Sequence, residues 1–233
     1  MAALPAEILA EIEPYLEPVA LKARRVLHYP NAPMEHVYFV EEGLVSVIAD
    51  TGEGTEAEVW LIGPEGLVGV PALLGSRRSN HRRVVQAGGR ALRISTAQLS
   101  RAMDALPPLR GLIMRYVMAT LLQTSQSGAC NAAHSVRQRL ARWLLLADDR
   151  YDSRALPVTH RMLARLLGIR RASVTECLNV LAGDGLIDTA RGKISIRDRP
   201  KLEVAACNCY AIIRREEERA VRDFEPHTAP QRR

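Results

Sequence analysis

The chain has 233 residues, 47% hydrophobic and 25% charged, which is enough for two modest domains that each bury a core. No apolar run approaches the ~20 residues that cross a bilayer. The opening MAALPAEILAEIEP carries acids where a secretory signal would be basic, so neither membrane insertion nor export is expected and the cytoplasm is the expected compartment. The net charge of +6 is unevenly held: residues 1–106 carry 10 Lys/Arg against 13 Asp/Glu, whereas 107–233 carry 22 against 13. A basic C-terminal half is suited to a polyanionic partner, once a fold element is found to present it.

The first element is a short amphipathic stretch with Ile8, Leu9, Ile12 and Leu16. From about 20 to 100 the pattern changes to short alternating runs, HVYFVEEGLVSVIAD, EVWLIG and RRVVQAGGRALRIS, broken by glycines such as Gly43, Gly52, Gly69 and Gly89. Such runs predict an antiparallel sandwich or barrel. The period shifts again at Pro107-Pro108. From Leu109 to about Cys130 a helix is predicted that is apolar almost all round, with Leu109, Ile113, Tyr116 and Thr120 in 4-3-4 spacing. One side can lie on the barrel and another needs a second copy of the same helix, with Ile113 and Tyr116 as the expected subunit contacts. A further helix carries Val136, Leu140, Trp143 and Leu144 on one face, and residues 214–233 are charged and expected to fray. Cys130 and Cys177 stand alone, while Cys207 and Cys209 are too close in sequence to staple the fold, as expected in the cytoplasm; no metal site is expected.

The most specific signal is LARLLGIRRASVTECLNVLAGDGLI at 163–187. Thr159 can cap a short helix whose buried face is Leu163, Leu166 and Leu167, and Gly168 supplies a turn residue free to take positive φ. A second helix then starts near Arg170 or Arg171 and buries Val174, Leu178 and Leu181, which together meet the packing needs of a helix-turn-helix. DTARGKISIRD follows as a hairpin turning at Arg191-Gly192, and a hairpin directly after a helix-turn-helix is a wing. The second helix would enter a DNA major groove by its N-terminal end. Arg171 is the candidate for guanine O6 and N7, Glu176 for cytosine N4, and Ser173 and Thr175 for base or phosphate. Arg170 stands at the helix start. Thr159, His160, Arg161 and Arg165 are placed for the backbone, as are Arg191 and Lys193 on the wing.

A glycine-punctuated barrel, a long helix and a winged helix-turn-helix resemble the Crp/Fnr family of transcription regulators over residues 15–200. The likeness is carried by VYFVEEGLVSVI at 37–48, LIGPEGLVGVPALLG at 61–75 and the segment at 163–187. It implies an α+β fold with a jelly-roll, cyclic-nucleotide-binding-like barrel over 1–106 and a dimerisation helix over 107–133. A winged helix-turn-helix over 134–200 and a helical, charged tail over 201–233 complete it. It also implies a homodimer on a two-fold related duplex DNA site, with RNA polymerase as a partner if the protein activates. Members that bind cyclic AMP carry Gly-Glu and then Arg-Ser in the phosphate-binding cassette. Here Gly69 is followed by Val70, and Ser79-Asn80 replace Arg-Ser, so cyclic nucleotide binding is not expected. Arg82 and Arg83 are the nearby cations left as effector candidates with Gly69. No cysteine precedes Cys130, so the N-terminal iron–sulfur cluster of one branch is absent, and His28, His36 and His81 read as structural rather than haem ligands. No cofactor is expected. Ala172 and Glu176 replace the Glu and Arg of many relatives, so the operator sequence does not transfer.

Two other readings stand beside this one. A jelly-roll oxygenase would need a clustered His/carboxylate triad, and no His-x-Asp/Glu pair occurs in 20–100. A regulatory barrel with an idle helical domain would leave the basic face and wing unexplained. The Cys207-Asn208-Cys209 pair, with Cys177, is a candidate redox element.

Overall fold

The computed structural model describes residues 6–52 and 55–222. A helix α1 (Ala6–Ile12) leads into strands β1 (Glu17–Leu21), β2 (Val26–His28), β3 (His36–Gly52), β4 (Thr55–Ile62) and β5 (Leu67–Val68), a short α2 (Val70–Leu73) and β6 (Arg82–Ser95). The long strands β3 and β6 pair antiparallel over almost their whole length, and every other strand of the barrel hangs on them. The half of β6 near Ala91 pairs with β1 and the half near Val84 with β2. The half of β3 near Phe39 pairs with β5 and the half near Val47 with β4.

The two strands change layer together at a corner. The β3–β6 register shifts between Val40 and Val45, where the strands pass Gly43 and Gly89. A Cβ on Gly89 would lie 2.0 Å from the Glu42 carbonyl oxygen, so only glycine permits that approach. This bend explains why β3 is apolar on both faces rather than alternating. Tyr38, Val40, Val45 and Val47 fill the barrel, Val37 and Phe39 lie under the helices, and Leu44 and Ile48 face the C-terminal domain.

An additional helix, α3 (Thr96–Ala105), follows β6; the Ser95 side chain caps it by accepting from the Gln98 N–H. It leads into α4 (Pro107–Ala133), which runs ~40 Å at 1.5 Å per residue. Leu109, Ile113 and Val117 press onto the barrel beside Phe39, Leu67 and Ile94. Tyr116 also turns inward, its hydroxyl donating to the Leu67 carbonyl at 3.3 Å. Ile113 and Tyr116 are therefore barrel contacts, not the subunit contacts expected from spacing: the barrel claims the most apolar stripe. The face left uncovered carries Met118 and Leu121, 64% and 55% exposed. Among the described residues no helix is long and apolar enough to cross a membrane.

Beyond α4 come α5 (Val136–Asp148), α6 (His160–Leu167), α7 (Arg171–Gly183), the hairpin β7 (Ile187–Ala190) and β8 (Lys193–Ile196), α8 (Arg199–Ala205) and α9 (Cys209–Arg222). The charged run from 214 was expected to fray, but it is helical as far as Arg222 and lies along α4. Residues 223–233 fall outside the described residues. The physical reason for the helix is the buried side of α9: Ile213 is fully enclosed, and Glu217 meets the guanidinium of Arg150. Arg150 is itself buried and also binds Glu65, at 2.7 Å, joining barrel, α5 and α9.

One guanidinium faces two carboxylates there, and burial, reinforced by Glu65 against the pull of Arg150, lifts the Glu217 carboxyl to about 7. That is above the usual 4.5, so the folded chain keeps a proton that the unfolded chain releases. The stability this proton lends is complete below 4.5 and is lost as the pH rises to about 7. Hydrogen exchange of α9, corrected for intrinsic rates, should show protection falling from about pH 5 to about pH 8, and Glu217→Gln should flatten the profile. Equal slopes in the two proteins would remove Glu217 as the cause.

Candidate nucleic-acid interface

The C-terminal domain is built on the buried faces of α5, α6 and α7, with Leu140, Leu144, Leu163, Val174 and Leu178 in one core. Thr159 caps α6 by accepting from the Met162 N–H at 3.2 Å, in the role its position predicts. Gly168 ends that helix in the left-handed region, φ 63° and ψ 40°. Ala164, small and buried, keeps the two helices close, and α7 begins at Arg171. The wing is the antiparallel pair Ile187↔Ile196 to Ala190↔Lys193, turned at Arg191-Gly192 and joined on its other edge by a bridge from Leu156 to Ile194.

Most of the expected contact residues lie at the surface of this domain. Arg170, Arg171 and Glu176 are exposed at and after the start of α7, with Ser173 and Thr175 half-buried between them. Arg170 precedes the helix without a side-chain cap, which leaves first-turn N–H groups for an outside acceptor such as a phosphate. His160 does more than face the backbone: its Nδ1 lies 3.0 Å from the Thr175 hydroxyl, so α6 orients a side chain of α7. Arg161, Arg191 and Lys193 are exposed. A Cβ on Gly192 would lie 3.9 Å from Thr159, which sets the wing tip beside the start of α6. Arg165 is different, since its guanidinium pairs with Glu56 of the barrel at 3.4 Å.

In the barrel, Gly69 precedes α2 with φ 133°, close against Val37. Val70 is buried in the apolar cluster with Phe39 and Leu67. The Ser79 hydroxyl accepts from the His81 N–H within its own turn. Arg82 is paired with Glu56 at 2.5 Å. Arg83 is 1% exposed, donates to the His81 carbonyl at 2.7 Å, and burial holds its pKa down at about 10. His28 is also structural, its Nε2 lying 2.8 Å from the His36 carbonyl oxygen.

Two features had no signal in the sequence. Trp143 of α5 donates to Glu58 of β4 at 2.7 Å, across 85 positions. Cys130, expected to stand alone, has its Sγ 3.4 Å from that of Cys207 in a buried cluster with Cys209. Cys177 remains apart on α7. No spacing rule reaches across such separations; only the docking of α9 and α5 creates these contacts.

Two family models match the chain in this order: the cyclic nucleotide-binding domain over residues 18–105 and the Crp-like helix-turn-helix domain over 138–205. The chain belongs to the Crp/Fnr family of transcription regulators. Transcriptional regulator SdrP of Thermus thermophilus is 29% identical over 198 residues, covering 82% of this chain and 94% of that protein. A CRP/FNR-family regulator structure from the same organism has a TM-score of 0.64 at 26% identity, covering 82% of this chain and 98% of that one. FixK2 from Bradyrhizobium japonicum shares the fold, with a TM-score of 0.71 at 16% identity over 82% of this chain and 98% of its own. The regulator thus has a cyclic-nucleotide-binding-type sensor barrel and a helix-turn-helix that binds DNA, and it is not an enzyme. Regulators of this family bind DNA as dimers.

The turn between α6 and α7 rests on a left-handed residue. A side chain at 168 has room, since a Cβ would meet Ala57 at an ordinary 3.4 Å, so any penalty is conformational. Gly168→Val should lower stability by about 1–2 kcal/mol through the left-handed backbone, and Gly168→Asn by less. Urea unfolding is the measurement. A Val midpoint equal to wild type would show that the turn can abandon this geometry.

Proposed function

We propose that this regulator acts in the cytoplasm as a homodimer that reads a two-fold related duplex site with the N-terminal turns of α7, Arg171 foremost. The observation that carries this reading is the exposure of Arg170, Arg171 and Glu176 on the helix that Gly168 and the α6 core hold outward. Arg171 can reach a guanine edge, and Glu176 a cytosine amino group. Arg161, Arg191 and Lys193, with Thr159, Ser173 and Thr175, supply phosphate contacts that fix register without reading sequence. In an activating role the partner beyond DNA would be RNA polymerase.

The dimer would form on the face of α4 that the barrel leaves open, through Met118 and Leu121. Replacing both with Glu should give monomers by light scattering and remove tight operator binding. An unchanged mass would place the interface elsewhere.

The effector is not a cyclic nucleotide in this reading. Val70 cannot accept a ribose hydroxyl, Ser79 is occupied by its own turn, and Arg82 is neutralised by Glu56. Among the described residues Arg83 has no carboxylate partner within 4.0 Å, but it is 1% exposed, so an effector would reach it only if the barrel opened. Calorimetry with cyclic AMP should show no saturation at micromolar concentrations; clear saturation would overturn this reading and direct attention to Arg83.

The decisive experiment separates reading from clamping. Arg171→Ala should cost about 1–3 kcal/mol per half-site, roughly 2–6 kcal/mol for two if they add, on the operator alone. Lys193→Ala should instead weaken all duplexes alike and lower the salt slope by about one for each phosphate it no longer neutralises. Binding to operator and random duplexes across a salt series distinguishes the two. Equal losses on both duplexes for Arg171→Ala would make Arg171 a backbone clamp.

A further inference from the structure

At the far end of α4 from the barrel core, four side chains that can ligate a metal converge from two distant parts of the chain. Cys130 lies in the last turn of α4 and His134 is the residue that ends it, four positions on and so on the same face. Cys207 and Cys209 come from the junction of α8 and α9. Their Sγ atoms and an imidazole nitrogen all lie within 4.8 Å of one another. The Cys130–Cys207 sulfurs are 3.4 Å apart, and the Cys209 sulfur is 3.6 Å from His134 Nδ1. With Zn–S near 2.3 Å and Zn–N near 2.0–2.1 Å, the edges of a tetrahedral site are ~3.8 Å between sulfurs and ~3.5 Å from sulfur to nitrogen. The donors therefore already stand close to the vertices of such a site.

We propose that Cys130, His134, Cys207 and Cys209 form a structural zinc site that clamps the C-terminal end of α4 to the α8–α9 junction. Three thiols lose their protons to solvent on binding and the neutral imidazole gives a lone pair, so the centre carries one net negative charge.

The surroundings suit that charge. Arg142 is buried and donates to the Ser127 hydroxyl at 3.1 Å, yet it has no carboxylate within 4.0 Å among the described residues. Its Nε has no hydrogen-bond partner. Arg142 makes no ion pair among the described residues, although Glu58 lies within its electrostatic reach, and it is also within electrostatic reach of Cys130, as is Arg139. An anionic centre would give Arg142 a second negative partner beside Glu58. Gln126 adds an outer contact, its amide Nε2 donating to the Cys209 sulfur at 3.0 Å, as a hydrogen bond to a ligating thiolate would. All three cysteines are buried, so the set has four protein donors and no open position, the arrangement of a structural rather than a catalytic site. Three thiolates and one imidazole in a tetrahedron favour zinc over the harder divalent cations. An iron–sulfur cluster would spread its thiolates wider, around bridging sulfides.

The position gives the site a consequence for regulation. His134 leaves the helix with φ −115° and ψ 148°, and after Ser135 alone the chain re-enters helix at Val136, in α5. A metal held there would fix both the break between α4 and the DNA-binding domain and the docking of α9 along α4.

The test uses the full-length protein with no histidine tag, purified under reducing, oxygen-free conditions without chelator. Elemental analysis should find one zinc per chain. Cobalt(II) added to metal-free wild type should give thiolate-to-cobalt charge-transfer bands with intense tetrahedral ligand-field bands, and zinc should displace them. Cys209→Ser and His134→Ala should lose the metal, Cys177→Ser should keep it, and Gln126→Ala should weaken binding by about 10–100-fold. Should the ligand variants fail to fold, the cobalt spectrum of wild type decides alone. The proposal is overturned by wild type with free thiols that takes up neither metal, by iron with acid-labile sulfide, by loss of zinc in Cys177→Ser, or by a Cys130–Cys207 disulfide in the protein as isolated.

Discussion

A helix of 27 residues with two charged side chains, Arg110 and Arg115, cannot be left in water, and most of the architecture answers that constraint. The barrel covers Leu109, Ile113 and Val117, and α9 covers a second side. What is left exposed includes Met118 and Leu121. Burying apolar surface at about 25 cal/mol per Å² makes each of these coverings favourable.

The inner face of α4 is not uniform. Its first half is apolar, but Thr120, Gln123 and Ser127 are buried polar residues further along. Gln123 reaches the Leu61 carbonyl at 3.5 Å, and Ser127 receives Arg142 from α5. Buried polar groups need such partners, and these tie α4 to β4 through Gln123 and to α5 through Ser127.

Contacts between the barrel and the DNA-binding domain form a continuous seam along β4. Glu56 receives Arg82 and Arg165, while Glu58 accepts from Ser46 and from the Trp143 indole. Burial pushes the Glu58 carboxyl up, and the two donors act against that shift. Gly168, the turn of the helix-turn-helix, lies over Ala57 of the same strand. The barrel thus touches the turn of the helix-turn-helix directly.

The local chemistry of the DNA-binding domain was legible in residue types and spacing. Thr159 as a cap, Gly168 with positive φ, the buried run Val174, Leu178 and Leu181, and the hairpin at Arg191-Gly192 all depend on neighbours within about ten positions, where backbone propensity and period decide. The barrel was legible as a class, from its glycine-broken runs, although the bend at Gly43 and Gly89 that buries both faces of β3 was not. What only the tertiary structure decided are the pairings between distant segments. These are the choice of which stripe of α4 the barrel takes, the Arg150 link from Glu65 to Glu217, and the meeting of Cys130 and His134 with Cys207 and Cys209. A linear pattern records which face of a helix is apolar, but not which of several apolar neighbours will cover it. That outcome is set by the competition among all the surfaces the folded chain brings together.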